Sequence, residues 1–383
     1  MKNFDLENIC LDVHDHILSD RAMVSPIYQT SSFCFKDFED YKAINGGQNN
    51  YTYTRDGNPT FKELENKIAK LEKGQDAKLF ASGMAAISGS ILANVASGDH
   101  IVVVNTVYGT GVSFLKQIEK FGITHKAIHV QETKEIFDVI QENTKMIYFE
   151  SPSSQKFEML DLQELSHFCK ARNIITLIDN TYATPLLQNP IEYGIDIVCH
   201  SLSKFIGGHS DIVGGVCISS ASQIKKIDQF ASVYLGATIS PMNAFLALRG
   251  LRTLPVRLKH QEESVLKFID YFKNNQYIEK IYHPSVNGVH QNYLKGHISL
   301  LAIVLKDVSE QIIKKFVDHL EYFSLAYSWG GFESLVLPVY KGNNKQQLVE
   351  RGLKLGHFRI YIGLEDIDLL IQDVEKSINF AYK

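Results

Sequence analysis

The sequence lacks the main features of a membrane, secreted or nucleic-acid-binding protein. No apolar run among its 383 residues reaches the roughly 20 residues that a membrane-spanning helix needs. The formal net charge of −4 provides no attraction to nucleic acid or to an anionic membrane surface. The opening MKNFDLENICLDVHDHI carries acids and has no apolar stretch, so no secretory signal is expected. We therefore expect a cytoplasmic protein with no nucleic-acid or membrane partner.

Cysteine is scarce, and its positions show no metal-binding pattern. The five cysteines are scattered along the chain without a CxxC spacing. An odd number of dispersed thiols favours free cysteines in a reducing compartment over a disulfide framework. The fourteen histidines include no HExxH sequence, and no zinc or iron–sulfur spacing is present. No metal site is predicted.

Composition and periodicity predict an α/β protein with more than one domain. Hydrophobic residues make up 45% of the chain, enough for a large core. From Phe61, short apolar runs alternate with helical patterns, which is typical of βαβ units and a mostly parallel sheet covered on both faces. After about Tyr234, a long helical stretch interrupted near Pro255 precedes further strands and helices. The expected divisions are an extended N-terminal arm over 1–60, a large domain over 61–235 and a smaller α+β domain over 236–383.

The segment IDIVCHSLSKFIGGHSDIVGG contains the first candidate for a catalytic residue. Lys204 directly follows a short buried strand, and burial lowers the pKa of a lysine because it disfavours the charged amine. A neutral amine is the form that attacks an aldehyde to make a Schiff base. Ser201 and Ser203 flank this lysine and can donate hydrogen bonds to a phosphate. Taken alone, the segment is better explained as a turn with a surface lysine.

Two further segments carry groups that suit a phosphorylated pyridine aldehyde. Asp179 ends the apolar strand of ITLIDNTYATP, and a carboxylate there can keep a pyridine nitrogen protonated. In FASGMAAISG, Ser82, Gly83 and Met84 lie between a strand and a helix, where free N–H groups and the positive helix end attract phosphate. Each segment alone is an ordinary turn or helix cap. The three together, after three different strands, predict that Lys204 carries pyridoxal 5'-phosphate.

Eight segments of the chain follow one another in an order that is typical of one enzyme family. They are YTYTRDGNPT, ASGMAAI, NTVYGTG, ESPSS, IDNTYATP, HSLSKFIGGHSD, GLRTLPVRL and GGFESL. From about residue 20 to its end, the chain resembles the Cys/Met-metabolism family of pyridoxal-phosphate enzymes. The resemblance implies the fold-type I, transferase-like architecture, with a mostly parallel sheet in the large domain. It also implies an amino-acid substrate and a homotetramer built from dimers.

The same resemblance implies roles for further residues. Tyr53 and Arg55 would reach the phosphate from a neighbouring subunit, and both Tyr53 and Tyr108 would lie near the leaving group. Tyr108 would also stack on the pyridine ring, as aromatic side chains do on flat heterocycles. Arg359, in FRIYIGLED, would bind the substrate carboxylate through its two-pronged donor. The other implied substrate contacts are Ser328, which would position Lys204 or the substrate, and Trp329, Tyr234 and Ser154.

The family divides by whether the leaving group is on Cβ or Cγ, and residue types here favour Cβ. Trp329 and Ser154 replace the smaller aliphatic residue and the asparagine that are usual in γ-acting members. Thr52 matches neither the aromatic residue of one bacterial β-lyase type nor the acid of many relatives. The expected reaction is β-elimination of L-cystathionine to homocysteine, pyruvate and ammonia, with cysteine desulfhydration as a further activity. The alternatives are a cystathionine γ-lyase, a cystathionine γ-synthase, an O-acylhomoserine sulfhydrylase, or a non-catalytic protein of this fold, which the complete residue set disfavours.

Overall fold

The structure, a computed structural model, describes residues 4–12, 22–43, 51–287 and 291–383. Within these ranges the chain forms two β-sheets flanked by helices. The helices are α1 (Phe4–Leu11), α2 (Phe38–Ala43), α3 (Pro59–Leu71), α4 (Gly83–Leu92), α5 (Gly109–Ile118), α6 (Leu162–Lys170), α7 (Thr184–Leu187), α8 (Ala221–Asp228), α9 (Pro241–Phe272), α10 (Pro284–Asn287), α11 (Glu310–Asp318), α12 (Lys345–Glu350) and α13 (Ile367–Ala381). The strands are β1 (Asp76–Phe80), β2 (His100–Val104), β3 (Thr124–Ile128), β4 (Thr144–Phe149), β5 (Ile175–Asp179), β6 (Ile197–Ser201), β7 (Gly215–Ser219), β8 (Ile278–Tyr282), β9 (Leu300–Leu305), β10 (Ser324–Leu325), β11 (Leu335–Pro338) and β12 (His357–Tyr361).

The larger sheet has seven strands in the order β1-β7-β6-β5-β4-β2-β3. Strands β2 to β6 pair in parallel, whereas β7 is antiparallel to both β1 and β6. Successive residues alternate between two cores, because side chains on a strand point to opposite faces. Val102 and Val104 pack into one core, and Ile101 and Val103 pack into the other. This architecture confirms the predicted α/β fold with a mostly parallel sheet.

The smaller sheet has the order β10-β11-β12-β9-β8 and is mainly antiparallel. Helix α9 connects it to the larger sheet. The first half of α9 buries residues such as Leu248 and Leu251 in the core of the large sheet. Its second half buries Phe268 and Phe272 in the core of the small sheet. Because one helix serves both cores, the division between residues 235 and 236 remains a prediction.

Helix α9 runs for 32 residues without a break and contains Pro255. The prediction that the helix is interrupted near this proline is therefore wrong. Proline in a helix interior removes one hydrogen bond and costs about 3 kcal/mol or more. Here Leu251, Leu254 and Leu258 are buried on either side of it, and their packing keeps the segment helical. None of the helices in the described ranges, α9 included, is long and apolar enough to span a membrane.

Part of the predicted N-terminal arm is a packed helix. Leu6 and Cys10 of α1 are buried against the core that α3 and α9 share. The buried side chain of Lys67, in α3, donates hydrogen bonds to the carbonyl oxygens of Ile9 at 3.3 Å and Asp12 at 2.5 Å. These bonds attach the end of α1 to α3. Other parts of the predicted arm, namely 1–3, 13–21 and 44–50, lie outside the described residues.

Helix α9 also packs directly on the backbone that follows Lys204. A Cβ atom at Gly250 would lie 2.1 Å from the carbonyl oxygen of Gly207 and 2.5 Å from that of Ile206. We predict that Gly250→Ala lowers the thermal unfolding midpoint by several degrees, since overpacking a core costs about 1–3 kcal/mol. Gly109→Ala is the control, because a Cβ at that helical position meets nothing within 4 Å. Equal midpoints for the two variants in a calorimetric scan would contradict this packing.

Candidate active site

Lys204 lies at the carboxyl edge of the large sheet, just beyond the end of β6. Its Nζ donates a hydrogen bond to Ser328 Oγ at 2.5 Å and lies 5.4 Å from the centre of the Trp329 ring. Burial and the nearby Arg359 guanidinium lower the pKa of Lys204 to about 8, against the opposing effect of Asp179. The predicted depression of the pKa is therefore present. It makes a neutral amine available close to physiological pH.

Asp179 ends β5 at the same edge of the sheet. Its Oδ1 accepts hydrogen bonds from the Thr181 N–H at 3.0 Å and from the Thr181 hydroxyl. Burial raises the pKa of Asp179, whereas the bonds from Thr181 and the charges of His200 and Lys204 oppose that rise. A buried carboxyl in this state gains from a cationic partner. A protonated pyridine nitrogen would be such a partner.

The turn between β1 and α4 supplies backbone donors for a phosphate. Ser82 caps α4, and its hydroxyl accepts the N–H of Ala85 at 3.0 Å. Within the described residues, the N–H groups of Gly83 and Met84 have no hydrogen-bond acceptor. Free N–H groups at a helix N-terminus bind anions. This turn therefore fits the phosphate of the predicted cofactor.

Close packing brings that turn against the strand that leads to Lys204. A Cβ at Gly83 would lie 2.8 Å from the Cβ of Ser201, and a Cβ at Gly215 would lie 2.2 Å from the carbonyl oxygen of Ser82. Only glycine fits these two positions. Ser203 lies beside them, and its Oγ accepts the N–H of Gly214 at 3.2 Å. The predicted phosphate-binding residues from two separate strands therefore lie together.

The small sheet contributes the opposite side of the site. Arg359, on β12, donates from Nη2 to the carbonyl oxygen of Ser328 at 3.2 Å. Burial lowers the pKa of Arg359 to about 10, with the Glu150 carboxyl opposing, so the guanidinium stays charged at neutral pH. Ser328 has a φ of 90°, which is uncommon for a residue with a side chain and occurs often at functional sites. Trp329 follows it and packs against Phe205 at 5.5 Å between ring centres.

Three predicted residues lie away from this cluster in a single chain. Tyr53 is 44% exposed, and the guanidinium of Arg55 lies 5.3 Å from the centre of its ring. Both line an open cleft of about 490 Å³ with Thr238. Tyr234 is 66% exposed, and its hydroxyl accepts a hydrogen bond from Gln229 at 2.9 Å. Among the described residues, none of the three contacts Lys204.

Tyr108 and Ser154 meet at a residue that the sequence analysis missed. Glu150 follows β4 directly and is only 7% exposed. Its Oε1 accepts the N–H of Tyr108 at 2.6 Å, and its Oε2 accepts the hydroxyl of Ser154. Position was the available signal, since Glu150 comes after a buried strand at the same sheet edge as Asp179. Thr181, which holds Asp179, was missed as well.

Comparisons with known proteins agree with this geometry. The family model for Cys/Met metabolism PLP-dependent enzymes matches residues 11–379. The cystathionine beta-lyase of Lactococcus lactis subsp. cremoris (strain MG1363) is 34% identical over 380 residues, covering 96% of this chain and 97% of that protein. The structure of cystathionine gamma synthase from Xanthomonas oryzae pv. oryzae has a TM-score of 0.91 and 29% identity, covering 100% of this chain and 99% of the other. The structure of a Campylobacter jejuni protein assigned as O-acetylhomoserine (thiol)-lyase has a TM-score of 0.91 and 26% identity, and the match covers 98% of this chain and 99% of the other. That structure contains N'-pyridoxyl-lysine-5'-monophosphate.

Fold and site together define a fold-type I, pyridoxal-phosphate-dependent enzyme. The chain belongs to the Cys/Met metabolism family of PLP-dependent enzymes. Its relatives are lyases and synthases of carbon–sulfur bonds. The predicted family, fold class and cofactor are confirmed.

The depressed pKa of Lys204 is measurable in the cofactor-free protein. We predict that acylation of Lys204 by an amine-selective reagent rises with a midpoint near pH 8, whereas exposed lysines rise near their ordinary pKa of about 10.4. Peptide mass spectrometry after brief labelling between about pH 6 and about pH 11 measures both in one sample. A midpoint for Lys204 that coincides with that of the exposed lysines would show that the amine is not desolvated.

Proposed function

We propose that this enzyme catalyses β-elimination of L-cystathionine, releasing homocysteine, pyruvate and ammonia. The observation that carries the proposal is Trp329, whose ring centre lies 5.4 Å from Lys204 Nζ. Its bulk restricts the space beside the base and keeps water from the amine. γ-Elimination requires a second deprotonation at Cβ, so the base must move farther and the substrate must take another pose. The 34% identity to a cystathionine beta-lyase over nearly the whole chain supports the same choice.

Lys204 and Asp179 would handle the protons of the reaction. When bound, pyridoxal phosphate supplies an electron sink for the charge left at the α-carbon. Asp179 would keep the ring nitrogen protonated. The Lys204 amine would take the α-proton of the substrate as general base, with the Ser328 hydroxyl orienting its Nζ. A pKa of about 8 for Lys204 suits a base that works near neutral pH.

The remaining residues would hold the substrate and the cofactor in place. Arg359 would bind the α-carboxylate, since a charged guanidinium offers two parallel donors. Tyr108, which is 52% exposed, would stack on the pyridine ring. Ser82, Gly83 and Met84 would bind the phosphate. Further proposed contacts are Ser201 and Ser203 to the phosphate, and Ser154 and Tyr234 to the substrate.

The bond changes balance with one water molecule. After the α-proton is removed, the Cβ–S bond breaks and the sulfur keeps the electron pair. Lys204, or Tyr53 or Tyr108 near the leaving group, would return a proton to give the thiol of homocysteine. The released 2-aminoacrylate takes up water and yields pyruvate and ammonia. Cysteine would react by the same route and release hydrogen sulfide in place of homocysteine.

γ-Acting chemistry is the second candidate. The observation that supports it is the similarity in fold to a cystathionine gamma synthase, with a TM-score of 0.91. Thr52 is compatible with either, because it neither fills a pocket like an aromatic residue nor offers a carboxylate. A shared fold leaves the reaction to a few pocket residues.

Product analysis with L-cystathionine tests the proposed reaction. We predict that pyruvate exceeds 2-oxobutyrate by at least about tenfold, a ratio that modest differences in transition-state binding produce. Homocysteine should form in an amount equal to pyruvate, and Lys204→Ala should form neither. Predominant 2-oxobutyrate, or efficient cystathionine synthesis from an activated homoserine ester and cysteine, would contradict β-elimination while leaving the cofactor unaffected.

The position of Tyr53 and Arg55 supports a homodimer as the minimal active unit, with pairs of dimers forming a tetramer. Both residues are exposed and lie apart from Lys204 in one chain. We propose that they complete the phosphate site of a neighbouring subunit. A closed dimer with twofold symmetry would complete both sites at once.

Mixing two defective chains tests this arrangement. Lys204→Ala and Arg55→Ala each damage every site of their own homodimer. We predict that a refolded mixture recovers up to about a quarter of the parent activity, because half of randomly formed dimers are hybrids with one intact site each. A mixture no more active than its two components would exclude shared sites, as would a fully active monomer in sedimentation.

A further inference from the structure

Glu150 joins two loops of the site by its two carboxyl oxygens. One oxygen accepts the N–H of Tyr108 at 2.6 Å, at the start of α5. The other accepts the hydroxyl of Ser154, in the loop after β4. The backbone strengthens this junction, since the N–H of Ser154 donates to the carbonyl oxygen of Thr106 at 2.8 Å. These hydrogen bonds therefore join the loop before α5 to the loop after β4.

An ion pair does not account for this buried residue. Within the described ranges, the Glu150 carboxyl accepts hydrogen bonds from neutral groups, the Tyr108 N–H and the Ser154 hydroxyl, although the residue is only 7% exposed. The charged groups around it are Asp179 on the neighbouring strand and Arg359 on the small sheet. Burying a carboxyl without a partner is costly, so its hydrogen bonds must compensate. Those hydrogen bonds go to the Tyr108 backbone and the Ser154 side chain.

The Glu150 carboxyl binds the backbone from which the Tyr108 ring extends. Tyr108 precedes the first turn of α5, and no side chain caps that helix. Tyr108 is half exposed, so packing within the chain holds it only weakly. The Tyr108 backbone is held at its N–H by Glu150 at 2.6 Å and at its carbonyl oxygen by the N–H of Gly111 at 2.9 Å, and of these two bonds only the one to Glu150 joins it to another loop. We propose that Glu150 is a positioning residue for the cofactor, which fixes the Tyr108 ring by binding the Tyr108 N–H and the Ser154 hydroxyl together.

The form of the carboxyl agrees with this role. Burial and the Asp179 carboxyl raise the pKa of Glu150 to about 8, against the bonds from Ser154 and Tyr108. A neutral carboxyl still accepts the Tyr108 N–H through its carbonyl oxygen. Glutamine has the same shape and the same acceptor, so Glu150→Gln should preserve the position of Tyr108. Glu150→Ala leaves the N–H without an acceptor.

A double-mutant cycle on cofactor affinity separates positioning from general stability. The inference rests on the proposed stacking of Tyr108, so Tyr108→Ala must itself weaken binding. Pyridoxal phosphate is titrated into the cofactor-free chain, and binding is followed by the fluorescence of Trp329, the single tryptophan. We predict that Glu150→Ala raises the dissociation constant about tenfold, as expected when a buried N–H loses its acceptor. In a Tyr108→Ala background the same change should have an effect below about twofold.

Two further variants make the test specific. Glu150→Gln should stay within about threefold of the parent because its acceptor is retained. Asp373→Asn is the matched control, since Asp373 is a 5% exposed carboxylate that accepts the N–H groups of Glu321 and Tyr322, each at 2.9 Å, in the small domain. It should lower stability and leave cofactor affinity unchanged. If Glu150→Ala does not fold, Glu150→Asp enters the same cycle, because its shorter side chain withdraws from the Tyr108 N–H.

The outcomes are distinct. Equal effects of the Glu150 change in both backgrounds, or no effect in the parent, would overturn the positioning role and leave the proposed reaction intact. Unchanged affinity of Tyr108→Ala would overturn the stacking of Tyr108 and this inference with it. Neither result depends on which sulfur bond the enzyme breaks, which the product analysis decides.

Discussion

The hydrogen bond between Lys204 and Ser328 is the constraint on which the site depends. It joins an amine at the edge of the large sheet to a hydroxyl from the small domain, at a distance of 2.5 Å. The contact holds the amine between the two sheets, where burial and the nearby Arg359 guanidinium lower the pKa of Lys204. It also brings Trp329 and Arg359 to the same point. Helix α9 keeps the sheets in this relation, since its two halves belong to the two cores.

The charges of the site are arranged for a cofactor of mixed charge. Two carboxyls, Asp179 and Glu150, lie near two basic groups, Lys204 and Arg359. Burial raises the pKa of both carboxyls and lowers the pKa of both basic groups, which in each case favours the neutral form. A phosphate at the start of α4 and a pyridine nitrogen at Asp179 would meet partial charges of the opposite sign. Glu150, Asp179 and Lys204 lie at the ends of three neighbouring strands, β4, β5 and β6, which is the usual place for ligands in open α/β sheets.

Members of this family share the fold and divide by reaction. The relatives of this chain include a beta-lyase and a gamma synthase at similar levels of identity, 34% and 29%. What separates such enzymes is the room around the base and the contacts of the distal part of the substrate. Trp329 narrows that room here. Tyr53 and Arg55 lie on an exposed surface, and they would reach a site only in the proposed dimer.

The sequence by itself determined the strands and the residues that follow them. Lys204, Asp179 and Ser82 were predicted correctly as strand-end residues because an apolar run and the turn after it are local features. The same rule should have found Glu150, which the sequence analysis overlooked. Local propensity failed at Pro255, where buried leucines on both sides outweigh the cost of proline in α9.

Only the tertiary structure decided which of these residues meet. The antiparallel placement of β7 between β1 and β6 brings Gly215 under Ser82. Lys204 and Ser328 are 124 positions apart, and no periodicity links them. Their contact results from two sheets packing on one helix, a long-range effect of burying apolar surface. The sequence likewise does not place Tyr53 and Arg55 relative to Lys204, and in the folded single chain both lie on the surface.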